Sequence, residues 1–185
     1  MSLRVLIAED ELLIALSLQK QMESQGHHVV AIAGSGDDAL RLCRARDPEM
    51  VFMDIRMPGM DGITATRRLM EECPHPTIIV TANAEGRAEA ERAGAMEYAV
   101  KPLLSERIPL VIAKAQERYA RYLLVRAEEG ACPAALEAWP VVQEAIVRAV
   151  AGRGLSEEEA FACLRAAAKA GGRTLRQEAA QELAS

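Results

Sequence analysis

The chain has 185 residues and a net charge of −5, with half of its residues apolar and only 3% aromatic. That suits one domain of ordinary size plus a smaller one. It excludes a globally basic protein and argues against sheets that read single strands by base stacking. The charge is divided unequally: residues 1–104 hold 11 Lys+Arg and 16 Asp+Glu, and residues 105–185 hold 11 of each. Cys43, Cys73, Cys132 and Cys163 lack metal-ligand or pairing spacing and read as small core hydrophobes in a reducing compartment. No run approaches the roughly 18 apolar residues of a membrane span, and no signal-peptide pattern opens the chain, so a cytoplasmic protein is expected.

Taken in order, Leu3 to Ala8 is a nearly continuous apolar run, as expected of a parallel strand covered on both faces. Glu9-Asp10-Glu11 ends it, and Leu12, Leu13, Leu16 and Met22 follow with helical spacing until Gly26. A second strand is expected from His28 to Ala33, with His27 and His28 as turn residues, then a helix from about Gly36 to Arg46. Asp47-Pro48 turns into a strand ending at Met53. Further helices are expected over about 61–72 and 84–93, with strands at Thr77–Thr81 and Glu97–Val100. Five strands alternating with helices predict an α/β fold with a doubly wound, five-stranded parallel sheet.

At the strand ends stand Glu9 and Asp10, Asp54, Thr81 and Lys101, the edge where open α/β sheets bind ligands. Carboxylates gathered there repel one another unless a proton or cation intervenes. Their hard oxygens suit Mg²⁺. Asp54 is placed to act as a nucleophile toward a phosphoryl group, and Thr81 can donate its hydroxyl to a phosphoryl oxygen. Lys101 precedes Pro102, which disfavours helical backbone at the lysine.

With those residues at those places, residues 1–104 resemble the receiver domain of two-component response regulators. The resemblance implies that Asp54 is the phosphoacceptor for a phosphohistidine on a sensor histidine kinase, assisted by Lys101 and Thr81. It also implies Mg²⁺ held by Asp10, Asp54 and the backbone carbonyl of Arg56, with Glu9 acting through water. Tyr98, three residues before Lys101, occupies the place of a ring that moves with the threonine, so Thr81 and Tyr98 form the expected switch. Arg56 and Asn83 lie where receivers tune the lifetime of the acyl phosphate.

Beyond Pro102, Ile108, Ile112, Ala115, Tyr119 and Tyr122 carry the spacing of a short coiled-coil seam. They allow either a homodimer through a linker over 105–132 or a helix packed on its own sheet. Gly130-Ala131-Cys132-Pro133 breaks that helix. Residues 133–185 read as a small three-helix all-α domain over about 133–151, 156–170 and 174–184, with Ser156 and Glu159 forming a capping box. Ala160, Phe161, Leu164 and Ala167 give its second helix an apolar face.

Gly154-Leu155-Ser156-Glu157-Glu158-Glu159-Ala160-Phe161, with Leu164-Arg165 and Arg173-Thr174-Leu175-Arg176, resembles the ANTAR family of RNA-binding antitermination modules. This implies contact with an RNA hairpin, for which Arg165, Lys169, Arg173 and Arg176 are the candidate basic patch. The family's usual arginine is replaced by Trp139 and its Lys-Gly pair by Ile146-Val147. Trp139 reads as covering apolar surface at a helix junction, but these departures, a neutral charge over 141–185 and a Trp139 that looks exposed would suit the alternative of a tail that sequesters a protein partner. DNA binding through two short helices is a looser fit. Residues 105–185 contain no His and no catalytic cluster, so an enzymatic output is not expected.

Overall fold

Apolar runs without a polar alternation become strands, because a strand covered on both faces shows no side to water. The computed structural model describes residues 2–82, 85–130 and 132–184. Strands β1 (Arg4–Ala8), β2 (His28–Ala33), β3 (Met50–Met53), β4 (Thr77–Thr81) and β5 (Glu97–Val100) form one parallel sheet in the order β2-β1-β3-β4-β5. Helices α1 (Leu12–Ser24), α2 (Gly36–Arg46), α3 (Gly62–Glu72) and α4 (Arg87–Arg92) make the crossovers. Every residue of β3 and β4 is buried, so the strand that delivers Asp54 is held on both faces. In the ladder Ala8 lies opposite both Ala33 and Met53, and Glu9 and Asp54 therefore leave the sheet as neighbours. The strand order reverses between β1 and β3, the crevice where such sheets place their ligands.

The chain separates into two compact units, Met1–Ala120 and Arg121–Ser185. The boundary falls inside α5, one helix from Ile108 to Glu129, preceded by a 3₁₀ turn at Ser105–Arg107. The helical linker expected over 105–132 thus holds one helix, whose residues fall in both units. That helix ends at Gly130, whose φ of 87° is open only to glycine without strain. The second unit then has α6 (Cys132–Arg153), α7 (Glu157–Gly171) and α8 (Leu175–Ala184). The capping box is present, with Ser156 Oγ accepting from the Glu159 N–H and Glu159 accepting from the Ser156 N–H.

Several expectations about faces are corrected. Leu12, Leu13 and Leu16 are exposed, while Met22 is buried together with Ala15 and Leu18. In the first unit, seam residues Ile108, Ile112 and Ala115 are buried, and the Tyr119 hydroxyl donates to the Pro74 carbonyl at 2.7 Å. In the second, Tyr122 is buried and meets Trp139 edge-on, ring centroids 5.6 Å apart. Ile108, Ile112, Ala115 and Tyr122 of the seam are thus buried within their own chain. Trp139 is 2% exposed, so it is a core ring worth roughly 0.5–1.5 kcal/mol in its aromatic pairing alone, not a docking residue. Cys163 is exposed, unlike the buried Cys43, and α7 buries Ala168 in place of Ala167.

Helix α3 starts on Asp61, whose carboxylate accepts from the N–H groups of Ile63 and Thr64, each at 2.9 Å, and from the Thr64 hydroxyl at 2.7 Å. Partial burial pushes this carboxyl up, but those bonds outweigh it and hold the pKa below the ordinary 3.8. A depressed folded-state pKa contributes stability above the ordinary value, and that contribution is lost as pH falls through the depressed one. Asp61→Ala is expected to cost about 1 kcal/mol near neutral pH, with the deficit shrinking below about pH 4. Urea unfolding at several pH values measures it, and a deficit independent of pH would show that the carboxylate charge is not what caps the helix.

Candidate functional site

The site is assembled from the residues that follow three strands. Asp54 comes directly after β3, Glu9 and Asp10 after β1, and Lys101 after β5. Asp54 is 8% exposed and Glu9 is 5% exposed, while Asp10 is open to solvent. One oxygen from each of the three carboxylates lies within 4.8 Å of the others. The Lys101 ammonium bridges two of them, donating to Glu9 Oε2 at 2.5 Å and to Asp54 Oδ2 at 2.9 Å. Asp54 Oδ1 accepts from the Ile55 N–H at 2.7 Å. Both oxygens of Asp54 are therefore oriented before any ligand arrives.

The charges respond to this crowding. Burial pushes the Glu9 carboxyl above its ordinary 4.5, Lys101 works against that, and the Asp54 charge adds to it. Burial disfavours the Lys101 ammonium, yet the hydrogen bonds to Glu9 and Asp54 prevail and hold its pKa above 10.5. Among the described residues Glu9 Oε1 is buried without a hydrogen-bond partner, a costly state for a carboxylate oxygen. A hard oxygen cluster with one unpaired buried acceptor fits Mg²⁺, which binds through few carboxylates and keeps several waters.

The turn after Asp54 depends on glycine. Gly62 N–H donates to the Ile55 carbonyl at 2.8 Å, and a Cβ on Gly62 would overlap the Asp54 carbonyl oxygen. No side chain is tolerated there, a constraint that the Asp61-Gly62 pair signals only as a turn. Arg56 is exposed on this loop. Asn83 lies outside the described residues.

Thr81 is 1% exposed at the end of β4, and Tyr98 is 4% exposed on β5. The Lys101 N–H donates to the Thr81 carbonyl at 2.8 Å, which ties the lysine to the threonine's strand. The surroundings of Tyr98 carry no sequence signal. Arg87 Nη2 donates to the Tyr98 carbonyl at 2.9 Å, and its guanidinium carbon stands 5.1 Å from the ring centroid. The buried Glu97 accepts from the Tyr98 N–H at 2.9 Å and lies 3.5 Å from both Arg87 and Arg118. Nothing in residue spacing links Arg87, Glu97 and Arg118, since they meet only because α4 and α5 flank the edge strand.

In the second unit the four basic candidates are not equivalent. Arg165 pairs with Glu128 at 2.5 Å, Arg173 with Glu178 at 2.5 Å and Arg176 with Glu137 at 2.7 Å. Glu178 is 8% exposed, so Arg173 neutralises a buried carboxylate of its own fold. Lys169 is exposed and has no ion pair among the described residues.

Comparison with known proteins places this geometry. Residues 5–113 match the family model described as the response regulator receiver domain. The transcriptional regulatory protein PdtaR of Mycobacterium tuberculosis is 35% identical over 169 residues, covering 89% of this chain and 82% of that protein. A protein-glutamate methylesterase/protein-glutamine glutaminase of Natronomonas pharaonis is 36% identical over 100 residues, but that covers 52% of this chain and only 28% of the enzyme. Among solved structures, the response regulator domain of Thermotoga maritima CheB is 28% identical with a TM-score of 0.56, covering 63% of this chain and 96% of that one. The CheX-CheY-BeF3-Mg+2 complex from Borrelia burgdorferi is 25% identical with a TM-score of 0.58, covering 61% and 88%. Among the described residues, no helix is long and apolar enough to cross a membrane.

Removing the Lys101 ammonium leaves two buried carboxylates facing each other. Lys101→Ala is expected to lower the unfolding free energy by roughly 2–4 kcal/mol, and adding Asp54→Asn should restore part of the loss. Urea titration of the single and double variants checks this. A double variant no more stable than Lys101→Ala would show that repulsion between Glu9 and Asp54 is not the cause.

Proposed function

The chain belongs to the response regulator receiver family, and from that premise we propose that it accepts a phosphoryl group on Asp54 from a sensor histidine kinase and controls transcription through its C-terminal helices. The observation that carries the first half is the Lys101 bridge between Glu9 and Asp54 beside the exposed Asp10. In the transfer, an Asp54 oxygen forms a bond to phosphorus while the phosphorus–nitrogen bond of the donor phosphohistidine breaks, and the imidazole leaves with that electron pair. Such transfers ask a protein chiefly for positioning and charge neutralisation. The Ile55 N–H orients Asp54 through Oδ1, and Lys101 meets the charge that builds on the phosphoryl oxygens. Mg²⁺ held by Asp10, Asp54, the Arg56 carbonyl and, through water, Glu9 would supply further positive charge there.

Thr81 and Tyr98 read out the event as a shift between two states of the receiver. A phosphoryl group favours the state that offers its oxygens an added hydrogen bond, and only by that difference in affinity. The Thr81 hydroxyl supplies the bond, and the Tyr98 ring on the neighbouring strand moves with it.

For the output, an ANTAR-type domain over 133–185 that binds an RNA hairpin and opposes termination is the reading best supported. It rests on the α7–α8 sequence pattern and on likeness to a transcriptional regulator along 89% of this chain. Lys169 on α7 is its exposed cation, and Arg165 and Arg176 stand half exposed in pairs with Glu128 and Glu137. A tail that sequesters a protein partner is the second reading, favoured by the pairing of Arg165, Arg173 and Arg176 with carboxylates.

Two outcomes are expected. Acetyl phosphate with Mg²⁺ should add one phosphoryl mass to the wild type and none to Asp54→Asn, so an equal mass gain in both would reject Asp54. The phosphorylated wild type should bind a pool of short RNA hairpins, and Arg165→Ala/Lys169→Ala should weaken that binding and lower the salt slope by roughly 1–2. Undiminished affinity and slope would remove these two residues from the surface. Absence of binding by the wild type would favour the protein partner.

A further inference from the structure

The second unit pairs its basic surface with its own acids in a pattern that has a direction. Arg165 Nε donates to Glu128 Oε1 at 2.7 Å, and Arg176 Nη1 donates to Glu137 Oε2 at 2.7 Å. The backbone N–H of Arg176, in the first turn of α8, donates to Glu129 Oε1 at 2.9 Å. Two of these acids, Glu128 and Glu129, are consecutive residues of the last turn of α5, and Glu137 stands in the second turn of α6. One short acidic segment thus reaches two guanidinium groups and a helix N-terminus. Those are donors of the kinds that bind the phosphates of a nucleic acid.

A carboxylate and a phosphate compete for the same charge-assisted bond to arginine, so each glutamate occupies an N–H of Arg165 or Arg176 that a phosphate would otherwise take and offsets the guanidinium charge. The remaining cation of the patch, Lys169, is exposed and free of any such pair among the described residues. Resting on the RNA reading above, we infer that the C-terminal turn of α5 and Glu137 form an internal phosphate mimic that closes the RNA surface. RNA phosphates then bind Arg165 and Arg176 more tightly once Glu128 and Glu137 give way. The mask is carried on α5, the helix whose residues 108–120 belong to the receiver unit.

The pairs are half exposed, and exposed pairs are individually weak, so releasing two of them should tighten binding only roughly two- to tenfold. The test uses the full chain and the labelled pool of short RNA hairpins. E128Q/E137Q removes the two of the three mimic charges that hold guanidinium groups but keeps side-chain size, and E144Q/E158Q removes two exposed acids that pair with nothing among the described residues. Both variants change net charge equally, so non-specific attraction rises alike in both. Tighter binding by E128Q/E137Q than by E144Q/E158Q, with the gain lost on adding Arg165→Ala, is the expected result. Equal affinities in the two variants, with RNA still bound, would overturn the mask and leave the RNA reading standing. No binding by either variant or by the phosphorylated wild type would overturn both.

Discussion

The Lys101 ammonium, shared between Glu9 and Asp54, is the interaction on which the first unit's chemistry depends. Parallel pairing of β1 with β3 brings two carboxylates out of the sheet side by side, and Asp10 adds a third. The carboxylates of such a cluster repel one another unless a proton or cation intervenes. The fold supplies one from the end of β5, with the backbone bond from Lys101 to Thr81 fixing its root. The fully buried β3 and the close approach at Gly62 leave Asp54 no room to retreat from its neighbours. The juxtaposition of Asp54, Glu9, Asp10 and Lys101 is thus a consequence of one sheet order.

That much is legible in the amino-acid sequence. Continuous apolar runs mark the strands, and the runs end in residues with a purpose: Glu9, Asp54, Thr81 and Lys101. Faces are less legible. Leu12, Leu13 and Leu16 have helical spacing, yet they lie on the solvent side of α1 because Ala15, Leu18 and Met22 already fill the space against the sheet. Ile108, Ile112 and Ala115 have the spacing of a seam, and they are buried within their own chain. Periodicity shows which residues share a stripe but not what covers it. Trp139 illustrates the same limit, since its partner Tyr122 stands 17 positions away on another helix. Arg87, Glu97 and Arg118 carry no motif at all and meet only in three dimensions around Tyr98.

In the second unit the governing fact is compensation. Residues 121–185 contain eight basic and nine acidic residues, and Arg121, Arg153, Arg165, Arg173 and Arg176 each pair with a glutamate. Some of these pairs hold the helices together: Arg121 is buried against Glu157, and Arg173 answers the buried Glu178. Others lie at the surface, where an ion pair contributes little to stability and so is easily exchanged for another anion. This division separates Arg173, which the fold needs, from Arg165 and Lys169, which it does not. A patch that looks neutral by composition can still serve phosphate, provided that its acids give way.

The most direct test of the central claim is chemical trapping of the phosphorylated chain. Acetyl phosphate and Mg²⁺ are added, and borohydride then reduces the acyl phosphate to an alcohol, converting an aspartate to homoserine at the modified position. Peptide mapping by mass spectrometry reads the site. The account predicts a single converted residue, Asp54, in the peptide that joins β3 to α3. Conversion at Asp10 or Glu9, or at several carboxylates with Asp54 unmodified, would contradict it.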